Sequence, residues 1–187
     1  MRKPLLLTGR PGCGKTTVVR RVVEHLSERR IPVQGFYTLE VREGGRRVGF
    51  DVITVPEGRV APLARVQPGA AGPRVGRYRV FVATLEALVL PLLQARDPRV
   101  RLLVVDEIGA MELLSSRFRE GVARLLAEPP CCLLATIQEK QVRRFLEPMG
   151  LLDRVDLWTL RFGEAGEMSR RVLEALAPCW SGHRAAE

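Results

Sequence analysis

The residues with the clearest chemical content stand near the start of the chain: Gly9, Arg10, Pro11, Gly12, Cys13, Gly14, Lys15 and Thr16, followed by Thr17. They spell G-x-x-x-x-G-K-[ST], a spacing that lets backbone N–H groups close around a phosphate. Small residues are required because the backbone itself approaches the ligand and takes up φ/ψ values barred to most side chains. A helix beginning at Lys15 points its positive end at the same place. In such a loop the lysine reaches β- and γ-phosphate oxygens, and the Thr16 hydroxyl is a ligand for Mg²⁺. Cys13 reads as a small residue that fits the loop.

A second segment, Leu102, Leu103, Val104, Val105, Asp106, Glu107, Ile108 and Gly109, is an apolar run that ends in two acids. A phosphate-loop enzyme needs a carboxylate at the end of a neighbouring buried strand to orient its Mg²⁺, and Asp106 answers that need. Glu107, the next residue, is placed to polarise an attacking water. Lys15 and Glu107 are thus the candidate catalytic residues, and Thr16 and Asp106 the candidate metal ligands. Roughly 90 residues separate Lys15 from Asp106, room for at least one further strand between the two motif strands. Together with the Asp-Glu pair, that spacing favours the RecA/AAA-like branch over the GTPase branch. No N-K-x-D or T-K-x-D segment is present, so nothing fixes a guanine preference. An aromatic shelf at Trp158–Phe162 offers stacking for a base more than a donor/acceptor code.

Periodicity supplies the elements that must position these residues. Lys3–Thr8 reads as a first buried strand, and valines at helical spacing give a helix from about Lys15 to Arg30, stopped before Pro32. Gly35–Val41 and Val48–Thr54 read as a hairpin about Glu43-Gly44-Gly45-Arg46. Pro56–Arg77 reads as a long exposed loop with one short strand, Arg59–Ala64, and as a candidate lid. Tyr78–Val82 is a strand and Thr84–Arg96 a helix containing Pro91. After the strand Val100–Asp106 come the helix Ser115–Glu128, the apolar strand Cys131–Ile137, the helix Glu139–Leu146, the strand Val155–Leu160 and the helix Gly163–Ala177. Alternation of this kind predicts an α/β layered fold, largely parallel, with an antiparallel edge hairpin.

The composition fits one domain. The 187 residues are 46% hydrophobic and 27% charged, ordinary for a globular chain. The expected domain runs over residues 1–178, with a flexible tail at 179–187. No apolar stretch approaches the roughly 20 residues of a membrane span, and the N-terminus lacks a signal-peptide core, so a cytoplasmic protein is expected. The net charge of +9 is carried almost wholly by arginine, 27 of 30 cations, in scattered pairs such as Arg20-Arg21 and Arg143-Arg144. Without interleaved aromatics these read as solvated faces; nucleic acid is a possible partner but not the favoured one. Cys13, Cys131, Cys132 and Cys179 contain no C-x-x-C pair, and the neighbours Cys131 and Cys132 do not readily close on each other. Reduced thiols are expected, and no zinc site.

Taken together, G-R-P-G-C-G-K-T-T at Gly9–Thr17, the segment Gly35–Asp51, V-G-R-Y-R-V at Val75–Val80 and V-V-D-E-I-G-A-M-E-L at Val104–Leu113 resemble the thermophile nucleoside-triphosphatase family. The resemblance runs from Lys3 to about Leu176 and is most specific in the hairpin. It implies a RecA-like α/β P-loop fold and slow, Mg²⁺-dependent hydrolysis of several nucleoside triphosphates without a firm base preference. It also implies two nucleotide-binding segments, matching Gly9–Thr16 and Leu102–Gly109 here. The chain departs from the family after Leu160, where Arg161-Phe162-Gly163-Glu164 replaces a polar turn. An arginine finger would come from Arg10, Arg42, Arg46, Arg77 or a neighbouring subunit. The rival readings are a small-molecule or nucleotide kinase, with Pro56–Arg77 as its lid, and a nucleic-acid-stimulated ATPase.

Overall fold

The computed structural model describes residues 3–69, 71–94 and 97–181. It is a nine-stranded sheet with helices on both faces. The strands are β1 (Leu5–Gly9), β2 (Val33–Glu43), β3 (Arg46–Val55), β4 (Val60–Val66), β5 (Arg74–Val75), β6 (Tyr78–Val80), β7 (Leu102–Ile108), β8 (Cys132–Gln138) and β9 (Asp156–Thr159). The helices are α1 (Lys15–Glu28), α2 (Val82–Gln94), α3 (Ser116–Ala127), the short α4 (Glu139–Gln141) and α5 (Ala165–Leu176). None among the described residues is long and apolar enough to cross a membrane.

The strand order is β5-β6-β4-β3-β2-β7-β8-β1-β9. β2, β7, β8, β1 and β9 form a parallel block, and β8 is the strand inserted between β1 and β7. Its apolar runs serve two cores because successive side chains point to opposite faces. Leu6, Val105, Leu133 and Ala135 face the core under α2 and α3, with Phe36, Leu85 and Phe118. Leu5, Leu7, Val104 and Leu134 face the other, under α1 and α5, with Val18, Val22, Met168 and Val172. The valines that weaken α1 as an isolated helix are those buried against the sheet. The Ser115 hydroxyl accepts the Phe118 N–H and caps α3, a contribution of about 1 kcal/mol.

The hairpin adds antiparallel strands at one side of the parallel block, as the sequence suggests: β2 pairs with β7 in parallel over Val33–Phe36 and with β3 in antiparallel fashion as far as Glu43. Two sequence expectations need correction. The stretch Pro56–Arg77 is not one long loop. It holds β4, which matches the expected short strand Arg59–Ala64 and pairs with β3, and also β5, paired with β6, so an antiparallel wing of β3, β4, β6 and β5 extends the sheet. Apart from Pro62 inside β4, its Pro and Gly residues lie between the strands, and alternation is too brief there to show as periodicity. Finally, Glu139–Leu146 is not one α-helix: α4 passes into a π-turn over Val142–Leu146, in which the Glu147 N–H reaches the Val142 carbonyl at 3.0 Å.

The cysteines also depart from the expectation of reduced thiols. Cys132 and Cys179 are joined in a disulfide, with Cα atoms 6.2 Å apart across 47 residues of sequence. Spacing conceals this pair because the fold creates it. β8 begins at Cys132, and the turn Ala177–Cys179 at the end of α5 packs on the same core. Cys179 to Ser181 are therefore ordered against the domain, and of the expected tail only residues 182–187 lie outside the described residues. Cys13 is buried and Cys131 half-buried, both free.

A ring of this size restricts the unfolded chain by about 4 kcal/mol on the loop-entropy scale. Cys179→Ser is expected to lower denaturant stability by up to about that amount, and reductant added to the wild type to reproduce the loss. Identical unfolding curves for the oxidised wild type and the variant would contradict it.

Candidate functional site

The phosphate-loop residues sit where β1 ends and α1 begins. The loop passes so close to the exit of β9 that a Cβ at Gly9 would strike the Leu160 carbonyl, and Gly9 has φ +152°. Gly14 precedes α1 in the left-handed region, with φ 104°. Arg10, Pro11 and Gly12 are exposed, whereas Cys13 is buried in the core under α1, filling space beneath the loop. Thr17 is exposed in the first turn of α1.

Lys15 is buried for a lysine, at 7% exposure. Its Nζ donates to the Gly9 carbonyl at 3.0 Å and lies 3.4 Å from Glu107 Oε1. Asp106 is fully buried at the end of β7 and accepts three hydrogen bonds. Thr16 Oγ1 donates to Oδ2 at 2.8 Å, Thr136 Oγ1 to Oδ1 at 2.6 Å, and the Thr38 N–H to Oδ2 at 3.3 Å. Gln138, at the end of β8, donates from Nε2 to Glu107 Oε2 at 2.8 Å and accepts the Ala110 N–H at 3.2 Å. Leu102, Leu103, Val104 and Val105 spend their side chains in the two cores, and their role is to hold Asp106 and Glu107 at the sheet's edge. Ile108 is buried in the first core, and Gly109 lies between Gln138 and Glu112, where a Cβ would be 2.6 Å from each side chain.

Four contributors escaped the sequence reading: Thr38, Thr136, Gln138 and Glu112. Thr136 and Gln138 had a signal in retrospect, since polar residues two apart close an apolar run and so share one face of β8. Glu112 is the third acid of the Val104–Leu113 segment and is 4% exposed. Of the arginine candidates, Arg42 is held by Glu40 at 2.6 Å and by the Gly45 carbonyl. Arg77 donates to the Arg47 carbonyl and the Tyr78 hydroxyl. Arg42 is thus anchored at the β2–β3 hairpin and Arg77 between β5 and β6, while Arg10 is exposed in the loop itself and Arg46 at the hairpin turn.

Three carboxyl groups gather here around one ammonium group, and burial separates their proton affinities. Burial, then the neighbouring Glu107 charge, pushes Asp106 up to about 6 in spite of its three donors. Burial and the same neighbour push Glu112 up to about 8 from an ordinary 4.5. The arrangement calls for additional positive charge, which a divalent cation between Thr16 and Asp106 would supply. Among the described residues no three His, Cys, Asp or Glu side chains cluster as a metal cage. A cation held by Thr16 and Asp106 would take its other ligands from phosphate and water.

The Glu112 proton is held more tightly by the folded chain than by the unfolded one. Its contribution to stability is therefore fully present below about pH 4.5 and is lost as pH rises through about 8. Between pH 6.5 and 9, above the Asp106 transition, wild-type unfolding free energy is expected to fall by about 2 kcal/mol. Glu112→Gln should be nearly level over that window. Urea titrations of both proteins check this, and parallel pH slopes would refute it.

The sequence profile of the family described as NTPase matches residues 4–173. The human Cancer-related nucleoside-triphosphatase is 46% identical over 145 residues, 73% of this chain and 76% of the relative. Nucleoside-triphosphatase THEP1 of Methanocaldococcus jannaschii is 33% identical over 173 residues, 92% of this chain and 96% of that one. The fold is similar to the crystal structure of THEP1 from Aquifex aeolicus, with TM-score 0.78 and 31% identity over 92% of this chain and 98% of the other. It is also similar to the solution structure of a human cancer-related nucleoside triphosphatase, with TM-score 0.77 and 35% identity over 95% and 98% of the two chains. A profile match over nearly the whole chain, relatives above 30% identity and a shared α/β sheet lead to one conclusion: this chain belongs to the nucleoside-triphosphatase family.

Proposed function

We propose that the protein is a Mg²⁺-dependent nucleoside-triphosphate phosphohydrolase, converting NTP and water to NDP and phosphate, with broad use of the four bases. The observation that carries the reading is the pair of linked arms at the sheet's edge, Thr16–Asp106–Thr136 and Lys15–Glu107–Gln138. The first arm matches a Mg²⁺ site, a hydroxyl and a carboxylate already oriented toward each other. Bound there, Mg²⁺ would neutralise charge on the β- and γ-phosphate oxygens.

The second arm performs the remaining work. Loop N–H groups and Lys15 Nζ bind the phosphates, and to do so Lys15 exchanges its Gly9 and Glu107 partners for phosphate oxygens. That exchange releases Glu107 Oε1 for a water, while Gln138 keeps hold of Oε2. Glu107 then takes the proton as the water oxygen attacks the γ-phosphorus, and the anhydride bond to the β-phosphate oxygen breaks. Two observations weigh against a kinase: Glu107 stands next to the metal-orienting acid, and Pro56–Arg77 is built into the sheet as strands. The broad base use is supported by the site itself, where every assigned contact is to phosphate, metal or water.

Two measurements test the reading. Phosphate release from ATP, GTP, CTP and UTP should agree within about tenfold in kcat/KM, or roughly 1.4 kcal/mol. It should vanish on chelation of Mg²⁺ and be indifferent to RNA, DNA or acceptor alcohols. A hundredfold preference for one base would reveal a polar base pocket. In the second, Glu107→Gln should bind nucleotide normally and hydrolyse it about 10²–10⁴ times more slowly. Near-wild-type single-turnover rates in that variant would remove Glu107 from the mechanism.

A further inference from the structure

A nucleoside triphosphate has two ends, and the strand order dictates which way it lies. Asp106 and Glu107 close β7, and Thr136 and Gln138 close β8, all on one side of β1 in the order β7-β8-β1-β9. The terminal phosphate belongs on that side. Sugar and base therefore leave the Gly9–Thr16 loop on the opposite side of β1, where β9 and the segment after it stand.

That segment is fastened to the loop. The Leu160 N–H donates to the Thr8 carbonyl at 2.8 Å, the Leu160 carbonyl packs against Gly9, and a Cβ at Gly14 would sit 3.1 Å from the Ala165 Cβ. Between these anchors the chain makes a tight turn. The Arg161 N–H is bound by Glu164 Oε2 at 3.0 Å, and Gly163 takes φ +86°. Phe162 stands on this turn at 63% exposure, the highest of any large hydrophobic side chain among the described residues. The sequence pointed to a shelf spanning Trp158 to Phe162, but Trp158 is half-buried, packs against the second core, and has the Arg171 guanidinium 5.1 Å from its ring centroid. Of the two rings, Phe162 is the open one.

An exposed phenyl ring costs solvation free energy unless something covers it, and a hydrogen-bonded turn lowers the entropic penalty of ordering it on binding. We infer that Phe162 is the stacking platform for the nucleotide base, a subsite on the β9 side of the phosphate loop that takes the flat face of a purine or pyrimidine. Every base has such a face, so the subsite admits all four and selects none by hydrogen bonding. The inference rests on the phosphohydrolase reading for the direction of the nucleotide, and it gives broad base use a physical cause.

The test separates base from phosphate. Affinities of wild type, Phe162→Ala and Phe162→Trp are measured by calorimetry with Mg²⁺ and the β,γ-imido analogues of ATP, GTP, CTP and UTP. Inorganic tripolyphosphate serves as the probe without a base. Phe162→Ala should weaken all four nucleotides by tenfold or more, the scale of one aromatic–base stack, and leave tripolyphosphate unchanged. Phe162→Trp should restore binding. Unchanged nucleotide affinity in Phe162→Ala, or equal weakening of tripolyphosphate, overturns the inference; the first result would leave the exposed ring to a protein interface. Binding is read apart from turnover, so wild-type protein that binds nucleotides but hydrolyses none would overturn the phosphohydrolase reading and leave the stacking result standing.

Discussion

A carboxylate with no exposure to water has to be answered by donors at fixed positions, and Asp106 sets this demand at the centre of the molecule. Its oxygens are met by Thr16 from α1, Thr136 from β8 and the backbone of Thr38 from β2. Losing one such donor at a buried charged group costs on the order of 1–3 kcal/mol. The register of three strands and the start of one helix are therefore fixed by a single side chain. A one-residue slip of β8 would turn Thr136 and Gln138 to the other face and bring apolar neighbours against two carboxylates. The same register places Leu134 and Leu133 in their respective cores, so packing and site geometry enforce one solution.

How much of this was legible beforehand depended on whether the information was local. Gly9–Thr16 and Asp106-Glu107 are runs of adjacent residues whose chemistry requires their spacing, and the buried strands around them show as unbroken apolar runs. The strand inserted between β1 and β7 is β8, which follows Asp106 in the chain, so the spacing between the two motifs, occupied by β2 to β6, did not reveal it. Thr136, Gln138 and Thr38 were not legible either, because each acts through a partner 30 or more residues away in sequence, and only strand register brings them together. The Cys132–Cys179 bond was hidden for the same reason. Of the wing, β3, β4 and β6 were expected as strands at Val48–Thr54, Arg59–Ala64 and Tyr78–Val82; β5, with two residues, is too short for a period of two to be visible, and the pairing of these strands into one sheet is not local information.

The wing also shows where the arginine excess goes. Glu40 binds both Arg42 and Arg47, and Arg65 pairs with Asp51. Arg47 lies over the rings of Phe50 and Tyr78, and Arg77 over Tyr78. Planar guanidinium groups suit these flat contacts, which lysine does not reproduce. Arg42, Arg47, Arg65 and Arg77 are thus engaged within this part of the sheet, four of the 30 cations that the net charge counts.

The disulfide has a topological side. Cys132 opens β8 and Cys179 follows α5, so the bond closes a ring of chain that contains β8, β9 and α5. In the sheet, β1 lies between β8 and β9 and is hydrogen-bonded to both. The strand that delivers the phosphate loop therefore occupies a slot whose two walls belong to one covalent circle. Those walls keep a high effective concentration toward each other even when the hydrogen bonds between them and β1 open. Local opening at this edge becomes a breathing motion within the circle, from which β9 and α5 do not drift away, and β1 closes again into a slot that is still there.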